Sequence, residues 1–484
     1  MRANIATLPQ DSLSQLRQIP ASVWFGGWIY VVLMINWSLL LADSDTYWQT
    51  AVGQWIIDHG ALPHSDTYSF TKSGDYWISS SWLAQVLFAG SYRVFGWAGP
   101  LSLAAAAAAS TFAWLTSILC RRMPPAYAIP IVFVALLVSV THLFARPHVL
   151  ALPVMFAWAN GLLSASERRE APSFWLLPLL ALWANLHGGF VFGLVLIGGF
   201  GLDALWNASA EHRKPLALRW LAFGVCACAA CCVTPYGWET VVASYRILDL
   251  GELLHVIMEW MPADFGTLSR FELCILALIG GALLGGAKLS PPRIALVLGL
   301  LHMALSHVRN QEVFVLLLPL VLLTPIGDQF GLRAWNAENR SSFSLASALA
   351  LIVVFGIGTL TSASRAAVHP PAINSPVAAV DALKASHAKR VLNDAFFGGY
   401  LIWRDIPVFI DGRAELYGEE FVMKYFHALF LKDVNALYDL LKTYDIDALL
   451  LKRDTPASLL LDHLDGWQRV YADEIAVLHV RAKN

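Results

Sequence analysis

The sequence is poor in charged residues, and this limits what the protein can be. Only 14% of its 484 residues are charged, whereas 57% are hydrophobic. The 33 Lys and Arg nearly balance the 35 Asp and Glu, so there is no excess of basic residues for binding nucleic acid. The six cysteines lie in or beside apolar segments and predict no disulfide scaffold. The composition therefore argues against a nucleic-acid-binding protein and against a water-soluble enzyme.

Long apolar runs fill the first three quarters of the chain instead. Runs of about 17 to 22 residues can cross a bilayer as helices, and about eleven of them can be read here. The predicted spans are 22–42, 98–119, 126–145, 148–163, 173–186, 188–206, 217–233, 270–287, 293–307, 310–326 and 342–362. We therefore predict a polytopic α-helical membrane protein, with a short N-terminus (1–21), a membrane domain (22–362) and a soluble domain (363–484).

The basic residues predict the orientation of these spans. The segment Trp82–Phe95 is short and contains Gln85 and Arg93, so we expect it to lie along the interface. With this choice the short loops rich in Lys and Arg all fall on the inner side. The N-terminus is then cytoplasmic, and the outer loop 43–97 and the C-terminal domain lie on the outer, periplasmic side.

The soluble tail alternates strand-like and helical stretches, which predicts a small α/β domain. No strand in it is followed by a Gly-rich phosphate-binding motif, so a nucleotide-binding fold is not indicated. The predicted strands are 390–392, 407–410, 448–451 and 476–480, and the predicted amphipathic helices are 420–431 and 434–444.

Two carboxylates, Asp43 and Asp45, appear where the first predicted span reaches the outer face. Carboxylates in this position can take a proton from a hydroxyl or hold a divalent cation such as Mg²⁺ or Mn²⁺. They can also simply cap the juxtamembrane helix that begins at Thr46. The residue types leave all three interpretations open.

Three stretches carry a resemblance to a known family: Asp43–Ile56, Asn185–Gly193 and Phe409–Gly418. With the long outer loop and its juxtamembrane helices, the many spans and the soluble tail, they resemble the GT-C glycosyltransferases. This superfamily includes protein O-mannosyltransferases, the lipid A aminoarabinose transferase and the oligosaccharyltransferase catalytic subunit. The residues of the three stretches are most similar to those of a bacterial branch of this superfamily. Ser79–Trp82 stands where the mannosyltransferases have a His-Pro-Pro segment.

The resemblance implies an inner-membrane enzyme that moves a sugar from a polyprenyl-phosphate donor to an acceptor on the periplasmic face. The acceptor can be a glycan, a lipid or a protein. Asp43 would be the general base of an inverting displacement, and Asp45 would orient the substrate or a metal ion. No cofactor is required by the sequence, and a divalent cation at Asp43 or Asp45 is an alternative.

Several polar residues stand alone near the predicted outer membrane ends. Arg146 and Arg309 suit a lipid phosphate, although each can pair instead with Glu259 or Glu312, or reach the headgroups. The turn at Asn185 and His187 can also be only a tight turn, and Asp411 with Arg413 can be an internal salt bridge. The predicted substrate-binding residues are His64, Asp66, Arg146, His148, Asn185, His187, Glu259, Trp260, Arg309, Asn310, Asp411 and Arg413.

Two other functions fit the same residues. Arg146, Arg309, Glu259 and Glu312 can line a route for an anionic lipid in a transporter or flippase. The chain can also be a non-catalytic membrane scaffold. A transporter predicts a polar path open to both sides, whereas the polar residues here gather at one side.

Overall fold

The computed structural model describes residues 20–248, 250–332, 356–366 and 368–482. Up to residue 332 the chain is mostly helical, and residues 356–365 form a further helix. The α-helices of this bundle are Ala21–Ile35, Trp37–Leu40, Asp45–His59, Trp82–Phe95, Ala98–Leu119, Pro125–Ser139, Pro147–Arg168, Leu177–Leu186, Phe190–Asn207, Ala210–Cys231, Glu239–Leu248, Arg270–Gly285, Pro291–Ser306 and Gln311–Gln329.

Many of these helices match the predicted spans. Among the described residues, five are long and apolar enough to cross a membrane: Ala98–Leu119, Pro147–Arg168, Phe190–Asn207, Ala210–Cys231 and Val308–Gln329. Shorter apolar helices are Ala21–Ile35, Pro125–Ser139, Phe174–Leu186 and Pro291–Ser306. Residues 342–355 of the last predicted span lie outside the described residues. The helices make this a membrane protein, and the number of about eleven spans stays a prediction.

The segment Trp82–Phe95 is a helix of 14 residues. At 1.5 Å per residue it extends about 21 Å, which is shorter than the apolar core of a bilayer. It packs along helix Asp45–His59, and a Cβ atom on Gly53 would overlap the backbone of Gln85. The first loop is therefore built on a close pair of helices.

Helix Ala98–Leu119 lies at the centre of the bundle. Its alanines Ala104, Ala105 and Ala108 are fully buried. It packs against helices Ala21–Ile35 and Pro147–Arg168. Small side chains let helix backbones approach closely, which is how membrane helices gain packing energy without a hydrophobic drive between them.

An ionic network joins four helices at one end of the bundle. Arg293 Nε lies 2.9 Å from Asp203 Oδ2, and its Nη2 lies 3.4 Å from Glu167 Oε1. The hydroxyls of Ser166 and Ser290 donate to the two oxygens of Asp203 at 2.9 and 2.8 Å. Arg293 Nη1 also donates to Val321 O of a fourth helix, Gln311–Gln329, at 3.0 Å. Arg293 and Asp203 are buried, Glu167 is partly exposed, and each charge has a partner.

The C-terminal part is an α/β domain with one four-stranded sheet, which confirms a small C-terminal sheet. The strands are β1 (Val391–Asn393), β2 (Ala448–Lys452), β3 (Trp467–Ala472) and β4 (Ala476–Arg481). Their order in the sheet is β1-β2-β4-β3, where β1 pairs parallel with β2 and the other pairs are antiparallel. The helices are Val377–Ser386, Ala395–Trp403, Ala414–Tyr417, Glu419–Leu429, Val434–Thr443 and Pro456–Leu461.

One strand prediction was wrong, and one strand was not predicted. The stretch 407–410 is not a strand of the sheet, because Val408 makes only an isolated bridge to Ser69 of the first loop. Its apolar residues are buried between that loop and the domain core, which gives them the composition of a strand. Conversely, Trp467–Ala472 is a strand that the sequence did not predict, since most of its residues are exposed at the sheet edge.

The first loop is joined to the C-terminal domain. Phe70 N donates to Val408 O and Val408 N donates to Tyr68 O, both at 3.0 Å. Nearby, Tyr47 packs edge-on against Tyr400 at 5.1 Å between ring centroids. Loop and domain therefore form one body that covers one end of the bundle, and we call that end the site end.

Candidate active site

Two charged segments of the chain meet at the site end: the segment just before Pro147, and the segment that contains Asp43 and Asp45. Arg146 is extended, as expected of a residue before proline, and Pro147 begins the next helix. Ala145 N donates to Leu40 O at 2.6 Å, and Thr46 Oγ1 donates to Ala145 O at 3.2 Å. These bonds hold the segment before Pro147 against the segment that contains Asp43 and Asp45.

Arg146 lies among three carboxylates. Its Nη1 is 3.2 Å from Asp43 Oδ2 and 3.4 Å from Glu259 Oε2, and its Nη2 is 2.9 Å from Asp45 Oδ2. Each of these side chains keeps 13–28% of its surface exposed, so the cluster is enclosed but can be reached. Three carboxylates on one guanidinium give this cluster a surplus of negative charge.

Asp43 has two roles in this arrangement. Its Oδ1 accepts a hydrogen bond from Asp45 N at 2.8 Å and so satisfies the first backbone N–H of helix Asp45–His59, whose N-cap residue is Ser44. Its Oδ2 pairs with Arg146. The capping interpretation and the charged-site interpretation of Asp43 are therefore compatible.

The surroundings shift the pKa values of Asp45 and Glu259 in opposite directions. Burial raises the pKa of Asp45 to about 7; the charge of Arg146 opposes this rise and that of Asp43 adds to it. Burial also disfavours the charge of Glu259, but Arg146 and Arg309 outweigh it and lower the pKa of Glu259 to about 2. A carboxyl group whose pKa lies near 7 can exchange a proton at neutral pH.

Arg309 is placed differently from Arg146. Its guanidinium lies over the Trp260 ring at 4.4 Å from the centroid. Within the part of the chain that the structure describes, no carboxylate lies within ion-pair distance of Arg309. Its charge is nevertheless close enough to Glu259 to lower the pKa of that residue. Arg309 is thus a cation beside the carboxylate cluster with donors left for an anion.

Two histidines complete this end of the bundle. The rings of His148 and His187 are 6.1 Å apart, and His148 Nε2 bonds to His142 O at 2.7 Å. Gly189 N donates to His187 Nδ1 at 3.1 Å. Burial, and then the charge of Arg309, lowers the pKa of His187 well below its usual range. The structure therefore brings both histidines close to the arginines and leaves His187 neutral.

Other predicted site residues hold the fold together. Asn185 Oδ1 accepts from Trp82 Nε1 at 2.8 Å, and Asn185 Nδ2 donates to Ala181 O and Val233 O. Asn310 Nδ2 donates to Met303 O at 3.3 Å. These amides have partners within the chain, and their role in substrate binding stays a prediction.

The remaining predicted residues lie where the first loop meets the C-terminal domain. His64 is exposed, with its ring 5.3 Å from that of Tyr236. Arg413 is fully buried between Asp66 and Asp411, at 2.6 Å from each. The hydroxyl of Tyr417 donates to Asp411 at 2.8 Å. The charges of this Arg413 network are satisfied internally, which matches the internal salt-bridge interpretation, and a substrate role for these residues stays a prediction.

The sequence drew attention to the stretch Phe409–Gly418, but it did not predict that the C-terminal domain contacts Asp45 and its neighbours. Gly412 lies against the Asp45 carboxylate and Gly399 against the Ser44 carbonyl. Asn374 Nδ2 donates to Ala42 O, and Ser375 Oγ lies 2.5 Å from Tyr47 Oη. Glycine in a polar stretch is the only signal that the sequence offers, and it is also typical of an ordinary turn.

A divalent cation does not fit the carboxylates as they are arranged. The guanidinium of Arg146 already lies within 2.9–3.4 Å of Asp43, Asp45 and Glu259. Among the described residues, no group of three or more His, Cys, Asp or Glu side chains could hold a metal ion. The positive charge among these carboxylates comes from Arg146.

No family model and no curated protein matches the sequence. Among solved structures, the chain is similar to the apo oligosaccharyltransferase of Archaeoglobus fulgidus, with 12% identity, a TM-score of 0.49, and coverage of 89% of this chain and 69% of that one. It is also similar to ArnT from Cupriavidus metallidurans bound to undecaprenyl phosphate, with 13% identity, a TM-score of 0.47, and coverage of 95% and 98%. Both belong to the GT-C superfamily, which the sequence motifs also resemble.

Proposed function

We propose that the chain is an integral-membrane glycosyltransferase that moves a sugar from a polyprenyl-phosphate donor to an acceptor hydroxyl at the site end. One observation carries this proposal: a cation with free donors, Arg309, lies beside carboxylates of unequal pKa on Arg146. Such a pairing supplies a proton acceptor and an anion-binding group at the same place. The resemblance to GT-C enzymes suggests the donor.

Asp45 is the better placed general base. Its pKa of about 7 leaves it partly ionised at neutral pH, so that it can accept a proton. The sequence alone assigned this role to Asp43; both aspartates pair with Arg146, and the raised pKa of Asp45 is what favours Asp45 in this proposal. In this proposal Asp43 orients the helix start and Arg146, and Asp45 takes the proton.

The chemical step is a single displacement with inversion. The acceptor oxygen attacks the anomeric carbon while its proton passes to Asp45. The bond from the anomeric carbon to the phosphate oxygen breaks, and its electron pair leaves with the polyprenyl phosphate. Arg309 stabilises the departing phosphate, with neutral His187 available beside it as a hydrogen-bonding group.

The experiment is a transfer assay on the purified full-length protein with radiolabelled polyprenyl-phosphate sugars and a membrane extract as acceptor. We expect the wild type to transfer label and Asp45→Asn to lose transfer. Asp58→Asn is the matched control, because Asp58 lies on the same helix, Asp45–His59, and pairs with Arg93 at the surface. Movement of donor lipid across vesicles without transfer would contradict the proposal and favour a flippase.

A further inference from the structure

The C-terminal domain contacts the segment that carries the two aspartates at four points. Asn374 donates to Ala42 O, Gly399 packs on Ser44, Gly412 packs on Asp45, and Ser375 bonds to Tyr47. The four contacts are spread along a segment only six residues long, 42–47. The domain therefore forms one wall of the carboxylate cluster.

Gly412 makes the closest of these approaches to a charged group. A Cβ atom at this position would overlap Asp45 Oδ1 and would lie 2.9 Å from Asp45 Cγ. The φ angle of Gly412 is outside the left-handed region, so alanine would fit its backbone without strain. Space, and not backbone conformation, is the reason for glycine here.

The position of Gly412 is fixed by its neighbours. Asp411 and Arg413 on either side belong to the buried Arg413 network, which also holds Asp66. Arg413 N and Nε both donate to Asp411 Oδ1, at 2.9 and 2.8 Å. Because these bonds are buried and paired, the backbone at Gly412 cannot shift easily when Asp45 is pushed.

We propose that Gly412 is a positioning residue, which holds the Asp45 carboxylate against Arg146 and makes the C-terminal domain part of the catalytic site. This inference rests on the proposed function for its catalytic meaning. Asp45 is confined between Arg146 at 2.9 Å on one side and Gly412 on the other. The domain thus determines where the base lies.

The first test is Gly412→Ala in the purified full-length protein. The added methyl group must displace the carboxylate, and misplacement of a catalytic group by about 1 Å can cost roughly 100-fold in rate. We expect kcat for transfer to be about 10- to 100-fold lower with the KM for the donor unchanged, because the base is misplaced while the donor still binds. Gly90→Ala is the control, because a Cβ there meets no atom within 4 Å.

The second test separates positioning from general damage and needs no activity. Thermal unfolding in detergent is measured for Gly412→Ala, Asp45→Ala and the double variant. If the methyl group acts through the carboxylate, Gly412→Ala lowers the melting temperature alone but not further in the Asp45→Ala background, where the obstructing atoms are gone. Equal losses in both backgrounds would overturn the proposal. Coupled unfolding in a protein that transfers no sugar would contradict the proposed function alone.

Discussion

Each end of the helical bundle carries a cluster of arginine and acidic side chains, but the two clusters differ in how completely their charges are paired. At one end Arg293 meets Asp203 and Glu167, and hydroxyls and an amide satisfy the oxygens of Asp203. At the site end Arg146 meets three carboxylates, and Arg309 has no ion pair among the described residues. In a closed network each charge has its partner and removing one is costly, whereas surplus carboxylates beside an unpaired cation cost stability and are typical of a functional site.

The largest effect is expected at the site end. Asp45→Asn should lower the transfer rate by about 100- to 10,000-fold, the contribution of a general base. Because the raised pKa means that ionised Asp45 destabilises the folded state above the usual pKa of an aspartate, the substitution should leave the free energy of unfolding unchanged or raise it. Transfer kinetics and denaturant unfolding of one preparation check both expectations. A variant that is still active, or one that is strongly destabilised, would contradict the view that this end serves function and the opposite end serves stability.

The opposite end should respond in the reverse manner. Arg293→Met leaves Asp203 buried without its cation and should lower the free energy of unfolding by about 3–5 kcal/mol. The rate per folded molecule should not change. Arg122→Met is the matched control at an exposed pair with Asp328, where the loss should be about 1 kcal/mol or less. Equal losses of unfolding free energy in Arg293→Met and Arg122→Met would show that burial of the ion pair does not determine its contribution to stability.

Arg309 provides the next test of the comparison. Arg309→Gln removes the unpaired cation and should raise the KM for the lipid donor about 10- to 100-fold, the value of one or two charge-assisted hydrogen bonds. The same change should lower the melting temperature only modestly, because it removes a cation–π contact with Trp260 and a charge that favours ionised Glu259 but no ion pair. Steady-state kinetics over a series of donor concentrations measure the effect. A KM equal to that of the wild type would place the phosphate elsewhere.

Glu259→Gln should have a smaller effect, changing the rate by less than about tenfold at any one pH through a shift of the pH midpoint. Since Asp45 acts in its ionised form, the rate should rise with pH and reach half its maximum near 7. The groups whose charge acts on Asp45 are Arg146, Asp43 and Glu259. Because the Glu259 charge raises the pKa of Asp45, Glu259→Gln should move the midpoint to lower pH. A midpoint that moves upward would assign the titration to another group.

Removal of divalent cations should have the smallest effect. Arg146 already supplies the positive charge among the three carboxylates, so EDTA should leave the rate within about twofold of its starting value. Titration with Mn²⁺ followed by electron paramagnetic resonance gives an independent measurement. We expect the wild type and Asp43→Asn to bind the same amount of Mn²⁺. A tightly bound ion lost in that variant would contradict the role of Arg146.

The sequence predicted the residues whose signal is local. Arg146 and Glu259 were recognisable because isolated charges at the ends of apolar runs are costly, and the structure brings them together. Asp43 and Asp45 stood out by position alone. The contact of Gly412 with Asp45 joins residues that are far apart in the chain, and nothing in either local pattern specifies it. The assignment of the base also depended on burial, which raises the pKa of Asp45 and which composition does not reveal.

The bond between Arg413 and Asp66 has a consequence for how the protein is made. The two residues are 347 positions apart, so the ribosome must add most of the chain after Asp66 before its partner exists. During that time the first loop, with Asp43 and Asp45, has no wall on the side of Gly412. If the proposed function is correct, a chain that ends before Gly412 should lack transferase activity even after its helices have entered the membrane.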